Sequence, residues 1–395
     1  MRILFLTTQL PYPPVSGGVI KSWRLINHFA KKHDVHLVCP LKNDDADHLS
    51  AFKDALPDVE VFAVPVERPR TPLNLVRSYL VSGTLNIYRN FDARLKKKAE
   101  EVAQRADLIF VDHYETGQFV PRKTRAKVVL HEHNAEYVMW ERLAEIESNP
   151  LKKTVLRAEA ARIKRTERKY AEHADLVLAA PNDILELKKI GVPEEKMKVT
   201  YHLGEDEMLE LPDTEFSETE KALIFIGTLT WEANVDGILW FLKEVWPEVL
   251  RREPETRFYI IGKNPDERIV KAAADGHNIT LTGFIRDLEP YHRKGRVFVI
   301  PLRFGSGIKV KLLNALYRGI PVVTTPIGTE GLDITSGREL YCTADAGEQV
   351  DHILALLTDR AKWESMQKAA RSTARKYSWA ALLEAHDRDL NQLLS

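Results

Sequence analysis

One stretch constrains this chain more than any other: Val297 to Leu332, VFVIPLRFGSGIKVKLLNALYRGIPVVTTPIGTEGL. It opens on an apolar run, Val297 to Leu302, the pattern of a strand buried on both faces. A glycine-bearing loop follows, Phe304-Gly305-Ser306-Gly307. Leu312, Leu313, Leu316 and Tyr317 then recur at helical spacing up to Gly319, a residue type that commonly ends a helix in left-handed backbone. A β-branched run, Ile320 to Thr325, completes a β-loop-α-β unit. In sheets built from such units the loop after the first strand lies at the carboxyl edge, where ligands bind.

That loop suits an anion. Gly305 and Gly307 let backbone N–H groups turn toward a ligand, and the helix that follows adds its positive end. Arg303, Lys309 and Lys311 bring full positive charges to the same place. The competing reading is a tight turn flanked by solvated lysines. Neither a P-loop nor a dinucleotide fingerprint fits, because the stretch holds no Gly-Lys-Ser/Thr and no Gly-x-Gly-x-x-Gly.

With 395 residues, 44% hydrophobic and 29% charged, the chain has the length of two or three soluble domains. No apolar run approaches the roughly 18 residues of a membrane span. The opening MRILFLTTQLPYPP reads as a first buried strand rather than a signal peptide. Cys39 and Cys342 stand too far apart to suggest a disulfide framework or a metal site, so a cytoplasmic location is expected. The formal charge is zero, yet 33 of the 57 basic and 27 of the 57 acidic residues fall in 1–200. That half therefore carries about six positive charges in excess. Its runs at Lys96–Lys98, Arg122–Lys127 and Arg162–Lys169 are ordinarily solvated faces. Otherwise they imply weak attraction to an anionic membrane or substrate, at the inner face of a membrane. Without sustained aromatic interleaving no nucleic-acid groove is expected.

Read in order, the first half alternates apolar strands with helices. Strands are expected at Arg2–Thr8, Val35–Cys39, Val59–Val64, Asp107–Asp112, Lys127–His131, Asp175–Ala179 and Lys198–Tyr201. A stiff proline loop ending in Gly17 and Gly18 follows the first, and a helix from about Val19 to Lys32 comes next. Leu73 to Arg105 reads as amphipathic helix broken near Gly83, and Pro150–His173 as a long charged helix. His113 stands just past a strand end, on the edge that binds ligands. His131 and His133 invite a metal, but the strand ends between them and no cysteine completes a set, so hydrogen bonding is the expected role. Met208–Glu220 reads as a linker. A second α/β pattern then begins, with strands at Ala222–Thr228, Phe258–Ile261, Ile279–Thr282, Val297–Pro301, Ile320–Thr325 and Leu340–Cys342. The first three lead to Gly227, Gly262 and Gly283. Two doubly wound units with small residues on the ligand edge suggest one ligand gripped between them. The tail is helical, ending in Trp379–Leu394.

Phe225-Ile226-Gly227, Gly283-Phe284, the unit with Gly319-Ile-Pro-Val-Val-Thr-Thr, and Tyr377-Ser378-Trp379 together resemble the group 1, family 4 glycosyltransferases. The resemblance covers nearly the whole chain, most specifically its second half. It is nearest to the branch that writes Pro-Leu-Arg-x-Gly-Ser-Gly-x-Lys. It implies the GT-B fold of two Rossmann-like domains facing across a cleft: an acceptor-side domain over 1–207, a linker over 208–220, a nucleotide-sugar domain over 221–377, and a helix over 378–395 returning to the first domain. It further implies retaining transfer from a nucleotide diphosphate sugar, UDP- or GDP-linked, without metal or other cofactor, to a glycan or lipid-linked acceptor. By position, Gly17 and Gly18 match the loop beside the donor phosphates and His113 the histidine that orients the donor sugar. Gly283, Phe284 and Ile285 match the loop that holds the base. Gly227, Gly262 and the segment Arg303, Gly305, Ser306, Gly307 and Ile308 belong to the implied donor site. The family's paired glutamates fall at Ser306 and Asn314, and its usual Arg and Lys at Thr228 and Ala233. Asn314 is left to meet the ribose without charge, and Arg303, Lys309 and Lys311 to neutralise the diphosphate. Those departures leave two rivals open: a non-catalytic sugar-nucleotide binder or partner subunit, and a sugar-nucleotide epimerase on the same fold.

Overall fold

The computed structural model describes the chain except residues 15–16, 43–44, 70, 82 and 306 and the side chains of residues 17, 45–46, 81 and 146. Ser306, singled out above, therefore lies outside the described residues. Two compact units emerge. One comprises Met1–His202 with Leu382–Ser395, the other Leu203–Ala381.

The first unit holds seven strands: β1 (Arg2–Leu6), β2 (Asp34–Leu41), β3 (Glu60–Pro65), β4 (Leu108–Asp112), β5 (Lys127–His131), β6 (Leu176–Ala179) and β7 (Met197–Val199). Its helices are α1 (Gly17–Ala30), α2 (Asp45–Ala55), α3 (Pro72–Val81), α4 (Leu85–Asn90), α5 (Ala93–Ala103), α6 (Glu136–Ile146), α7 (Pro150–His173) and α8 (Pro181–Lys189). The sheet is parallel throughout in the order β3-β2-β1-β4-β5-β6-β7. Because alternate residues of a strand point to opposite faces, Ile3 and Phe5 join one core with Phe29, Phe52 and Phe110. Leu4 and Leu6 join another with Ile109, Val111 and Leu130. Both faces are covered, which is why these strands read as continuous apolar runs.

The second unit holds β8 (Glu220–Ile226), β9 (Arg257–Ile261), β10 (Ile279–Gly283), β11 (Gly295–Ile300), β12 (Val322–Thr324) and β13 (Tyr341–Cys342). They too are parallel, in the order β10-β9-β8-β11-β12-β13. The helices are α9 (Glu232–Glu244), α10 (Trp246–Arg252), α11 (Glu267–Asp275), α12 (Glu289–Lys294), α13 (Val310–Arg318), α14 (Pro326–Thr329), α15 (Ala346–Thr358) and α16 (Arg360–Ala374). The final helix, α17 (Trp379–Leu394), begins in this unit, and from Leu382 onward its residues pack with the first. There Asp387 pairs with His28 at 2.9 Å and Lys32 at 2.6 Å, both on α1.

The strands lie where the apolar runs put them, and Gly319 ends α13 with a φ of 74°. The helices depart more. The helical stretch after β8 is split into α9 and α10, with Pro247 in the first turn of the second, since proline cannot continue a hydrogen-bonded turn. Gly17 and Gly18 form the first turn of α1 rather than the loop before it.

Candidate functional site

Each sheet has one switch point, where the chain reverses its direction of growth and leaves a crevice at the carboxyl edge. In the first unit it lies between β1 and β4. A cavity of about 160 Å³ sits there, lined by Thr7, Thr8, Gln9 and Pro11 after β1, Gly18, Val19 and Ser22 of α1, and Asp112 and His113 at the end of β4.

Beneath it the polar groups converge on Asp112. Its Oδ1 lies 2.6 Å from His131 Nδ1 and 2.7 Å from His133 Nε2, and its Oδ2 accepts from Ser22 Oγ at 2.5 Å. The parallel register sets Asp112 directly beside His131. Burial alone would raise the Asp112 carboxyl; the charge of His133 and the hydrogen bonds from both histidines outweigh it and hold the group well below the usual carboxylate range. Charge-assisted bonds of this kind are about twice as strong as neutral ones.

His113 rests on this assembly. Its ring stacks on His133 with centroids 3.6 Å apart. Its backbone takes a φ of 75°, unusual for a non-glycine residue and worth about 1–3 kcal/mol of strain. Hydrogen bonds on both sides hold that conformation: the His113 N–H donates to His131 O at 3.0 Å, and His113 O accepts from Thr116 Oγ1 at 3.0 Å. Burial, then the charges of His133 and Lys21, push its pKa down to about 3, leaving a neutral imidazole about a third exposed to the cavity. Gly18 permits the close approach of α1, since a Cβ there would lie 3.3 Å from His133 Nδ1.

Lys21 completes the centre. It is fully buried, and its Nζ has no hydrogen-bond partner among the described residues. Burial lowers its pKa to about 7, against the opposing charges of Asp112 and Asp183. Ligand atoms of Asp112, His113 and His133 lie within 4.8 Å of one another. The contacts of Asp112 with its two histidines are at hydrogen-bond length.

The second switch point lies between β8 and β11. On one side Gly227, Gly262 and Gly283 end three neighbouring strands as a ladder. The Gly227 N–H donates to Ile261 O at 3.0 Å, and the Gly262 N–H to Gly283 O at 3.2 Å. Gly262 has no room for a side chain, because a Cβ would sit 2.1 Å from Gly227 O. Beyond Gly283, Phe284 is 71% exposed, and Ile285 is half-buried. On the other side the loop after β11 passes through Gly305 and Gly307, at φ 136° and 73°, and the buried Ile308 into α13.

Two lysines converge there, Lys309 buried and Lys311 half-buried. Lys311 Nζ donates to Asn234 Oδ1 at 2.8 Å and lies 4.2 Å from the centre of the Phe225 ring. A Cβ on Gly227 would come within 2.7 Å of that Nζ. Burial, then the charge of Lys309, lowers the Lys311 pKa to about 7. Lys309 is 6% exposed, donates to Gly307 O at 2.5 Å and stands 3.7 Å from Glu330. Arg303 is paired in two-pronged fashion with Asp236. Asn314 Oδ1 accepts from the Glu205 N–H at 2.9 Å, so its oxygen braces the segment before β8.

The structure therefore gathers Gly18 and His113 at the first switch point, with Gly17 at the head of the same helix. Gly227, Gly262, Gly305, Gly307, Ile308, Lys309 and Lys311 gather at the second. Arg303 and Asn314 are engaged elsewhere by Asp236 and Glu205. Sequence reasoning passed over Lys21, Ser22, Asp112, Asn234 and Glu330. The one available signal was Asp112, a carboxylate closing an apolar strand next to the strand that ends in His131.

Residues 220–359, the span holding this second switch point, match the family model described as glycosyl transferases group 1. The chain carries a group 1 glycosyltransferase domain. Over 363 residues the protein is 23% identical to an uncharacterized 44.6 kDa protein in the cps region of Klebsiella pneumoniae, covering 89% of this chain and 90% of that one. Over 172 residues it is 29% identical to the sulfoquinovosyl transferase SQD2 of Arabidopsis thaliana, covering 42% of this chain and 32% of the relative. Among solved structures, HepE of Anabaena in complex with UDP-glucose superposes with a TM-score of 0.67 at 16% identity, over 99% of this chain and 100% of the other. Sucrose-phosphate synthase from Thermosynechococcus elongatus gives 0.70 at 14%, over 100% and 99%. The two parallel sheets are those of the GT-B fold.

Proposed function

We propose that this glycosyltransferase moves a sugar, with retention and without a metal, from a UDP- or GDP-linked donor to a hydroxyl of a glycan or lipid-linked intermediate. The assigned setting is surface polysaccharide synthesis, in the cytoplasm with peripheral contact at a membrane. The Klebsiella relative from a cps region and the UDP-glucose bound by HepE support this reading.

Lys311 is the observation that carries it. A half-buried lysine beside Gly227, whose contacts among the described residues are an amide oxygen and a ring face, is poorly compensated. A diphosphate would compensate it, raising its pKa from about 7. Lys309 and the N–H groups of Gly305, Gly307 and the first turn of α13 add to the same anion site. As the bond between the sugar C1 and the phosphate oxygen breaks, these groups take up the charge that develops on the departing diphosphate. The acceptor oxygen bonds to C1, and its proton passes to a leaving phosphate oxygen, so no protein carboxylate has to act as base. His113, neutral and held rigid, orients the hydroxyls of the transferred sugar.

The test is thermal stabilisation by UDP-, GDP-, dTDP- and ADP-sugars and their free nucleotides, followed by transfer assays with the responding donor. A ligand at 100 times its Kd adds about 2.7 kcal/mol. Response to the uridine or guanosine class is expected. No response to any nucleotide would overturn the assignment, and donor conversion without an acceptor would make the protein an epimerase.

A further inference from the structure

Helix α3 is built inside out. Its inward positions are polar: Asn74 is 9% exposed and Ser78 is fully buried. Asn74 Nδ2 donates to Pro69 O at 2.9 Å, and Ser78 Oγ to Leu75 O at 2.6 Å. Leu75 is half-buried, but four large apolar residues face solvent, with Leu73 58%, Val76 59%, Tyr79 50% and Leu80 82% exposed. Leu73, Val76 and Leu80 follow the three-and-four spacing that makes one ridge along a helix, and Arg77 is exposed among them. Contiguous apolar surface of this kind marks an interaction site rather than the scattered exposure normal for soluble proteins.

Charge identifies the occupant. Helix α3 rests on α7, where Arg162 donates to Ser78 O at 3.0 Å and lies 3.5 Å from the centre of the Tyr79 ring. Two of the three acidic residues of α7, Glu159 and Glu167, are fully buried, which leaves the outer face of the helix cationic. Lys152 and Lys164 pair with Glu147 and Glu141. Arg157, Arg165 and Lys169 are exposed and form no ion pair among the described residues. An apolar ridge flanked by unpaired cations matches helices that lie in the plane of an anionic bilayer, with the ridge among the acyl chains and the cations at the headgroups. A second copy seated here would bring like charges together.

We propose that the α3 ridge and the adjoining outer face of α7 form a docking surface for an anionic phospholipid bilayer. The proposal deepens the membrane-peripheral part of the function above and rests on that part alone. The test is co-sedimentation of the full chain with phosphatidylcholine vesicles, with and without phosphatidylglycerol. Binding is expected only to the anionic vesicles and should weaken as salt rises. The double variant Leu73→Ser, Leu80→Ser should bind roughly tenfold more weakly or worse, and Arg157→Glu with Arg165→Glu should also lose binding. Stabilisation by UDP and GDP, measured on the same samples, separates the two readings. Vesicle binding without a nucleotide response would strike the donor assignment and leave docking intact. A nucleotide response with no vesicle binding, or with binding unchanged in the leucine variant, would overturn the docking surface. So would a wild-type dimer that the leucine substitutions dissociate, since the ridge would then belong to a second copy.

Discussion

At the switch point of the first sheet, polar groups are spent on one another. Asp112 is shared among Ser22, His131 and His133, and His113 is stacked on that assembly in a strained backbone conformation. At the switch point of the second, Lys311 donates to an amide oxygen, and Lys309 donates to a backbone carbonyl and stands near the Glu330 carboxylate. The same topology thus supports two kinds of preorganisation. One fixes the direction of a neutral ring. The other gathers lysines where, in the reading proposed above, a diphosphate would meet them. Fixed dipoles and buried charges of both kinds cost nothing to reorganise at the moment of reaction.

If the first centre is a rigid unit, breaking its hub should be the most damaging change. Asp112→Asn removes the charge that His131, His133 and Lys21 share, and a loss of about 3–5 kcal/mol is expected. Denaturant unfolding measures it; a change below 1 kcal/mol would show that the network is not cooperative. His113→Ala leaves the hub in place, so transfer should fall roughly 10²–10³-fold with nucleotide affinity nearly unchanged, as steady-state kinetics and calorimetry would show. Lys311→Met keeps the apolar stem and removes the charge. The affinity for UDP or GDP should drop by about 1.5–3 kcal/mol, while the ligand-free variant should be more stable than the wild type near pH 7, because the cost of desolvating the ammonium is gone.

A further effect is one of pH, and both centres share it. Lys21 and Lys311 have folded values near 7 against an ordinary 10.5. Between those values the unfolded chain binds more protons than the folded one, so the stability of the ligand-free protein rises with pH from about 7 upward. Each lysine contributes at most about 1.4 kcal/mol per pH unit. Lys311→Met should remove its share of that slope, measured as melting temperature between pH 7 and 9. Donor affinity should run the other way, falling as pH rises and free Lys311 loses its proton.

How far the sequence reached depended on how local the cause was. Buried parallel strands announce themselves because both faces are apolar, so β1, β4, β8 and β11 could be read from runs of valine, isoleucine, leucine and phenylalanine. Gly319 and the three edge glycines stand at points that need left-handed backbone or close approach. Asp112 looked like any residue closing a strand, because its partners Ser22, His131 and His133 come from other elements. Lys21 has the sequence of a solvated helix residue; only packing shows that it faces inward. Asn314 carries no mark of the Glu205 amide it braces. For α3, periodicity reveals an apolar stripe but not which way the stripe turns.

Calorimetric titration of UDP and GDP into the wild-type protein, the His113→Ala variant and the Lys311→Met variant tests the division between the two centres most directly. Nucleotide binding that survives at His113→Ala and weakens roughly 10–100-fold at Lys311→Met is the predicted result. Undiminished binding by Lys311→Met, or a loss confined to His113→Ala, would contradict the placement of the diphosphate at the second switch point.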